Sequence, residues 1–234
     1  MRKKILALGT VTAIGLLILF VSKKQIIPSE DIALWEKLQN ANIPDLKRVE
    51  LFKKFQNEGK DLAKVSHEWL KSSQKSLRLA AIESFKGNAS SSLVSAKEQY
   101  ESLKQHLESS FSSEDDLLVS EILVAERLRT FLLNDWDSLK ISVQSQLRML
   151  LLMGNQKLNS EEMSFVRSHL AKTLEKIDFS INGDLLAAII SEMRTYPNLV
   201  DQEVRQSLKN IRTRVSPEIY EQSESFKTLR EFLK

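Results

Sequence analysis

Between Pro44 and Pro197 the chain contains no proline, and through that stretch its apolar residues recur three and four positions apart. Proline removes a backbone donor and clashes with the preceding helical turn, so its absence leaves the stretch free to be helical. No sustained alternation of apolar and polar residues, the mark of a half-buried strand, competes with that period. Four stripes carry it: Leu46, Val49, Phe52 and Phe55; Leu62, Val65 and Trp69; Leu77, Ala81 and Phe85; Val204, Leu208 and Ile211. An apolar fraction of 42% is enough to give such stripes a core to face. The expectation is an all-α fold of roughly ten helices, about 12–20 residues each, joined by short turns into antiparallel hairpins.

Start and stop signals divide the pattern. Gly59, Gly87 and Gly154 each follow an apolar-periodic segment, where glycine tolerates the left-handed conformation that ends a helix. Ser113 with Asp116 and Asn159 with Glu162 have the spacing of a capping box. Ser216-Pro217-Glu218 reads as a cap followed by proline in the first helical position, where its missing N–H costs nothing.

The N-terminal segment is different in kind. Ile5 to Val21 is an uncharged run of 17 positions, about 25 Å as a helix and at the short end of what crosses a bilayer. Arg2, Lys3 and Lys4 precede it, and Lys23 and Lys24 follow, placed to reach the interface. The run is longer than the apolar core of an ordinary signal peptide, and no small-x-small cleavage site follows Leu19-Phe20-Val21. An uncleaved anchor is therefore expected, with a cleaved signal as the competing reading. The basic flanks favour an N-terminus in the cytoplasm and a body across the membrane, the periplasm in a bacterium. Gly9 and Ala13 have small-xxx-small spacing for helix association in lipid.

These five basic residues account for the whole positive balance. The chain holds 34 basic and 31 acidic side chains, so residues 25–234 hold 29 and 31. A near-neutral body offers no general electrostatic case for nucleic acid. With no cysteine, disulfides, thiol catalysis and thiolate-bound metal are excluded. The division expected is 1–24 for the basic flank and anchor, 25–43 for a juxtamembrane link and first helix, and 44–234 for the helical body.

Trp69-Leu70, the polar turn Lys71-Ser72-Ser73-Gln74, and Leu77-Arg78-Leu79-Ala80-Ala81 through Phe85 resemble the turn and second helix of a HEAT repeat. Weaker echoes lie at Phe131 to Lys140, at Val166-Arg167 and at Asp201 to Leu208. In the first of these Lys140 stands where the family has arginine, and Ser142 and Val143 replace the alanine pair. The resemblance covers about residues 60–215 and implies an irregular α-solenoid, with small residues at Ala80 and Ala81 for close helix packing. A non-repetitive helical bundle is the alternative. Stacked helix pairs would imply an extended surface for another protein.

Catalytic motifs fail one by one. His67-Glu68 opens like a zinc motif, but Lys71 occupies the second histidine position; His106 and His169 are isolated in the sequence. Ser72 and Lys75 have Ser–Lys dyad spacing without its companion motifs. Asp135 and Asp137 begin like a calcium loop, but Leu139 takes the third ligand position. Glu114, Asp115 and Asp116 suit a helix start without a metal. No cofactor, metal or catalytic set is expected. Arg205, Lys209 and Arg212, at i, i+4 and i+7, form a basic stripe that could dock an acidic partner or simply face solvent. The functional expectation is a membrane-anchored, non-enzymatic scaffold for another envelope protein; the alternative is a tethered ligand-binding or sensory domain.

Overall fold

A computed structural model describes residues 29–86, 96–109 and 113–234. The anchor run Ile5 to Val21 and the stop signal at Gly87 lie outside these residues. Among the described residues there are thirteen α-helices and no strand. They are α1 Ser29–Gln39, α2 Asp45–Asn57, α3 Ala63–Leu70, α4 Lys75–Ser84, α5 Ala96–Glu108, α6 Ser113–Leu123 and α7 Glu126–Asp135. After a 3-10 turn at Trp136–Ser138 come α8 Val143–Gly154, α9 Ser160–Lys176 and α10 Gly183–Thr195. A second 3-10 turn, Pro197–Leu199, precedes α11 Gln202–Asn210; a third, Ile211–Arg214, precedes α12 Pro217–Gln222 and α13 Glu224–Phe232. The helices are more numerous and shorter than the expected ten. Short 3-10 turns break segments that the apolar period alone reads as continuous. No helix among them is long and apolar enough to cross a membrane.

Local chemistry explains the boundaries. Asn159 caps α9 in a full capping box: its Oδ1 accepts from the Glu162 amide at 2.9 Å, and Glu162 accepts from the Asn159 amide at 2.9 Å. Ser216 accepts from the Ile219 amide with Pro217 in the first turn, and Asp201 accepts from Val204 at the start of α11. Gly59 ends its segment at φ 73°, a left-handed conformation that suits glycine. Gly154 does not. It is the last residue of α8 and lies against Leu199, whose Cγ would be 2.7 Å from an added Cβ. Its small size allows close packing, and the expected left-handed cap is corrected.

Neighbour relations follow chain order closely. One row of contacts links α2 to α4, α4 to α6, α6 to α8, α8 to α10 and α10 to α13. A second links α1 to α3, α5 to α7 and α9 to α11, and cross-contacts such as α3 with α4 and α8 with α9 join the two. The core runs along the seam between the rows. Phe52 stacks on Trp69 at 4.8 Å, Tyr100 on Phe131 at 5.7 Å, and Trp136 meets Phe165 edge-on at 5.9 Å. Ala80 and Ala81 are buried where α4 packs, as their size suggested. The first stripe is corrected at one end: Leu46 is 73% exposed, while Phe52 of the same helix is fully buried.

Two arginines tie their helix to a later one, and a third reaches back to the helix before it. Arg48, Arg78 and Arg129 each occupy the fourth position of their helix and reach back to the preceding turn. Arg48 donates to the Leu38 carbonyl at 3.5 Å, Arg78 to those of Ser72 and Ser73 at 3.0 Å, and Arg129 to that of Val124 at 3.4 Å. Arg78 also pairs with Asp115 at 2.7 Å, and Arg129 with Glu162 at 2.8 Å. Side-chain links from arginine or lysine recur at sequence separations of 31 to 40 residues. The expected helix placement of Lys140 is corrected: it lies before α8, its amide donating to Glu108 at 3.1 Å. Arg205, the fourth residue of α11, faces solvent instead of reaching a turn.

Candidate functional site

The residues singled out for chemistry fall into separate structural roles. Ser72 accepts from the Gln74 amide at 3.1 Å within the α3–α4 turn, while Lys75 pairs with Glu114. Asp135 accepts from Lys104 at 2.7 Å and from the Tyr100 hydroxyl at 3.1 Å, whereas Asp137 is 95% exposed. Lys104 is the chief cause of a lowered Asp135 pKa. Glu114, Asp115 and Asp116 diverge: the first pairs with Lys75, the second with Arg78, and the third is half-buried with Oδ1 unpartnered. Among the described residues no group of three acids and histidines is placed to hold a metal ion.

The histidines are less isolated than their spacing suggests. His67 and His106 line one small cleft of about 160 Å³ between α3 and α5. The Ser102 hydroxyl lies 2.8 Å from His67 Nδ1 and 2.9 Å from the Glu98 carbonyl. Its single proton serves the carbonyl, so His67 donates to the serine oxygen. That is the wrong direction for a base activating a nucleophile. His106 is buried, with Nδ1 3.0 Å from the Leu70 carbonyl and Nε2 3.4 Å from Asp115. Burial is the main reason its pKa falls, which keeps the imidazole neutral between a carbonyl and the Arg78–Asp115 pair. The cleft is built as a strut between helix pairs.

A larger, mainly apolar concavity lies elsewhere. Consecutive helices of one row, α6, α8 and α10, border a groove of about 430 Å³. Leu117 of α6 is 40% exposed there. Leu147, Leu151 and Leu152 come from α8, and Leu185 and Ile189 from α10. On each wall the lining positions recur at helical spacing, from Gln144 to Asn155 on α8 and from Asn182 to Glu192 on α10. α8 thus carries a second apolar stripe beside the one that seals the core through Met149, Leu150 and Met153. Arg148 and Glu192 put one charge of each sign on the groove walls.

Comparison with protein-family models, with curated proteins and with solved structures finds no match.

The basic stripe does not coincide with the groove. Arg205 and Lys209 are exposed on α11. Arg212 follows on the 3-10 turn, its guanidinium 5.6 Å from the Tyr220 ring. Sequence reasoning missed the groove because Leu151 and Leu185 look like core positions. The overfull apolar face Leu147, Leu150, Leu151 and Leu152 was the available signal, since one core-facing stripe does not need them all.

Proposed function

We propose that the chain is a membrane-anchored, non-enzymatic scaffold whose α6–α8–α10 groove takes an amphipathic helix from a partner protein. The observation that carries this reading is the open leucine-lined groove among the described residues. Its walls repeat at helical spacing over about 17 Å, three turns of helix. A helix laid there would bury its own apolar face and set charges of its rim against Arg148 and Glu192. The anchor is the uncharged run Ile5 to Val21, with the body on the periplasmic side. The body is read as an irregular HEAT-like stack, supported by contacts that follow chain order and by linking bonds at similar separations. Arg205 and Lys209, with Arg212, serve as a steering patch for an acidic partner.

Site-specific photo-crosslinking in cells tests the groove. A crosslinking residue at Leu117 or Ala188 of the full chain is expected to yield one discrete protein adduct. Leu151→Glu should abolish it, and a crosslinker at the exposed Leu46 should yield none. Adducts that form equally at Leu46, or that ignore Leu151→Glu, would overturn the reading.

A tethered domain for a small apolar ligand is the second reading. Its specific support is the groove volume, about 430 Å³, inside the range of about 300–1,000 Å³ for small-molecule sites. It predicts no protein adduct, and binding of an apolar fluorophore that Leu151→Glu removes.

A further inference from the structure

A second cavity of about 270 Å³ opens away from that groove, where the Trp136–Ser138 turn meets α8 and α9. Its lining is mainly polar and includes two lysines. Lys172 and Lys176 stand one helical turn apart on α9 and are exposed. His169, one turn earlier, completes the row. Thr173 of α9 and Gln146 of α8 line the same space, with Trp136 of the turn.

The geometry of these groups is held in place. His169 stacks on Phe165 with ring centroids 3.8 Å apart, and its Nδ1 donates to the Phe165 carbonyl at 2.9 Å. Nε2 is thereby the nitrogen left to face outward, 3.7 Å from the Asp137 carboxylate. Thr173 is only 3% exposed and Trp136 only 4%. Neither the Thr173 hydroxyl nor the Trp136 indole N–H has a hydrogen-bond partner among the described residues. A helical threonine can bond the carbonyl four residues back or turn its hydroxyl to solvent, and Thr173 makes no such bond. Neither atom is among the fully enclosed polar atoms without a partner, so both keep solvent contact at the cavity, where beside two exposed lysines they can meet an acceptor-rich ligand. The one opposing charge in the lining is Asp137, which is 95% exposed at the rim.

We propose that this cavity binds a phosphate group. The lysines supply charge, and the Thr173 hydroxyl and Trp136 indole N–H supply directed bonds to the oxygens. The volume leaves room for the ester group that carries the phosphate. The ligand is then a small phosphate ester or a phospholipid headgroup, which share the chemistry read here.

Calorimetric titration of the full chain in a zwitterionic detergent tests it, with inorganic phosphate in one arm and short-chain phosphatidylglycerol in the other. Saturable binding is expected in at least one arm. Lys172→Ala with Lys176→Ala should weaken it at least about tenfold, as expected for losing two charge-assisted bonds. Thr173→Val should weaken it severalfold while keeping shape. Arg205→Ala with Lys209→Ala should leave it unchanged. Phosphate binding alone points to a soluble ester, and lysine-dependent phosphatidylglycerol binding to a headgroup. Absence of binding in both arms, or an equal loss in the Arg205 and Lys209 control, would overturn the proposal. The lysines are exposed, so their replacement leaves the fold intact and the result readable.

Discussion

Arginine position, more than arginine number, decides what each guanidinium does here. Arg214 donates to the carbonyls of Leu174, at 3.3 Å, and Glu175, at 2.6 Å, in the last turn of α9. Those carbonyls have no helical partner, and a cation there also meets the negative end of the helix dipole. Arg214→Ala should therefore cost about 1–2 kcal/mol. Arg205→Ala, nine positions earlier and solvent-facing, should be neutral; thermal melts of the two variants check the contrast. Asp116 is the opposite case. Burial raises its pKa, opposed mainly by Arg148. A raised carboxyl pKa means that the folded state favours the protonated form. Its contribution to stability is complete below the ordinary value of 3.8 and lost as pH rises through the raised one. At neutral pH the ionised group is a cost, moderated by partial solvent contact. Asp116→Asn should raise stability by about 1 kcal/mol at pH 7, and the gain should vanish in acid melts. The sequence marked Glu114, Asp115 and Asp116 as one acidic helix start. It could not show that their partners differ, because Lys75, Arg78 and Arg148 reach them only through the fold.

Helix boundaries were legible wherever a short-range bond sets them. Asn159–Glu162 and Ser216-Pro217 cap as their spacing indicates. The turn between Leu70 and Lys75 also falls where the repeat resemblance put it. Legibility failed where packing decides. The 3-10 turn at Trp136–Ser138 delays α8 to Val143 and strands Lys140 outside it. Its cause is the burial of Trp136 against Phe165, distant in sequence. Gly154 shows the same division between local and tertiary causes. A methyl there favours helix by about 1 kcal/mol, but it would collide with the buried Leu199. Overpacking costs about 1–3 kcal/mol, so Gly154→Ala should be net destabilising. Adding Leu199→Ala should recover part of the loss in a double-mutant cycle. A fully additive cycle would refute the contact.

Across the described residues, the decisive fact is that substantial contacts join α-helices no more than three helices apart in the chain. An all-helical class and a continuous core were readable from the period of apolar residues, because that period is what buries them. The order of contacts was not, and neither was the groove, because both depend on how successive pairs are offset. In the proposed HEAT-like stack, stability is a sum of neighbouring interfaces, and local unfolding need not spread along it. A closed bundle would instead unfold as one. The proposed scaffold function rests on that difference, since an open stack leaves one helix row free to bind. Hydrogen exchange of Leu77→Ala decides between them most directly. Leu77 is 3% exposed, and its truncation should cost about 2–5 kcal/mol. The open stack predicts faster exchange across α1 to α6 with α9 to α13 protected as in wild type. An equal loss of protection in α9 to α13 would contradict it.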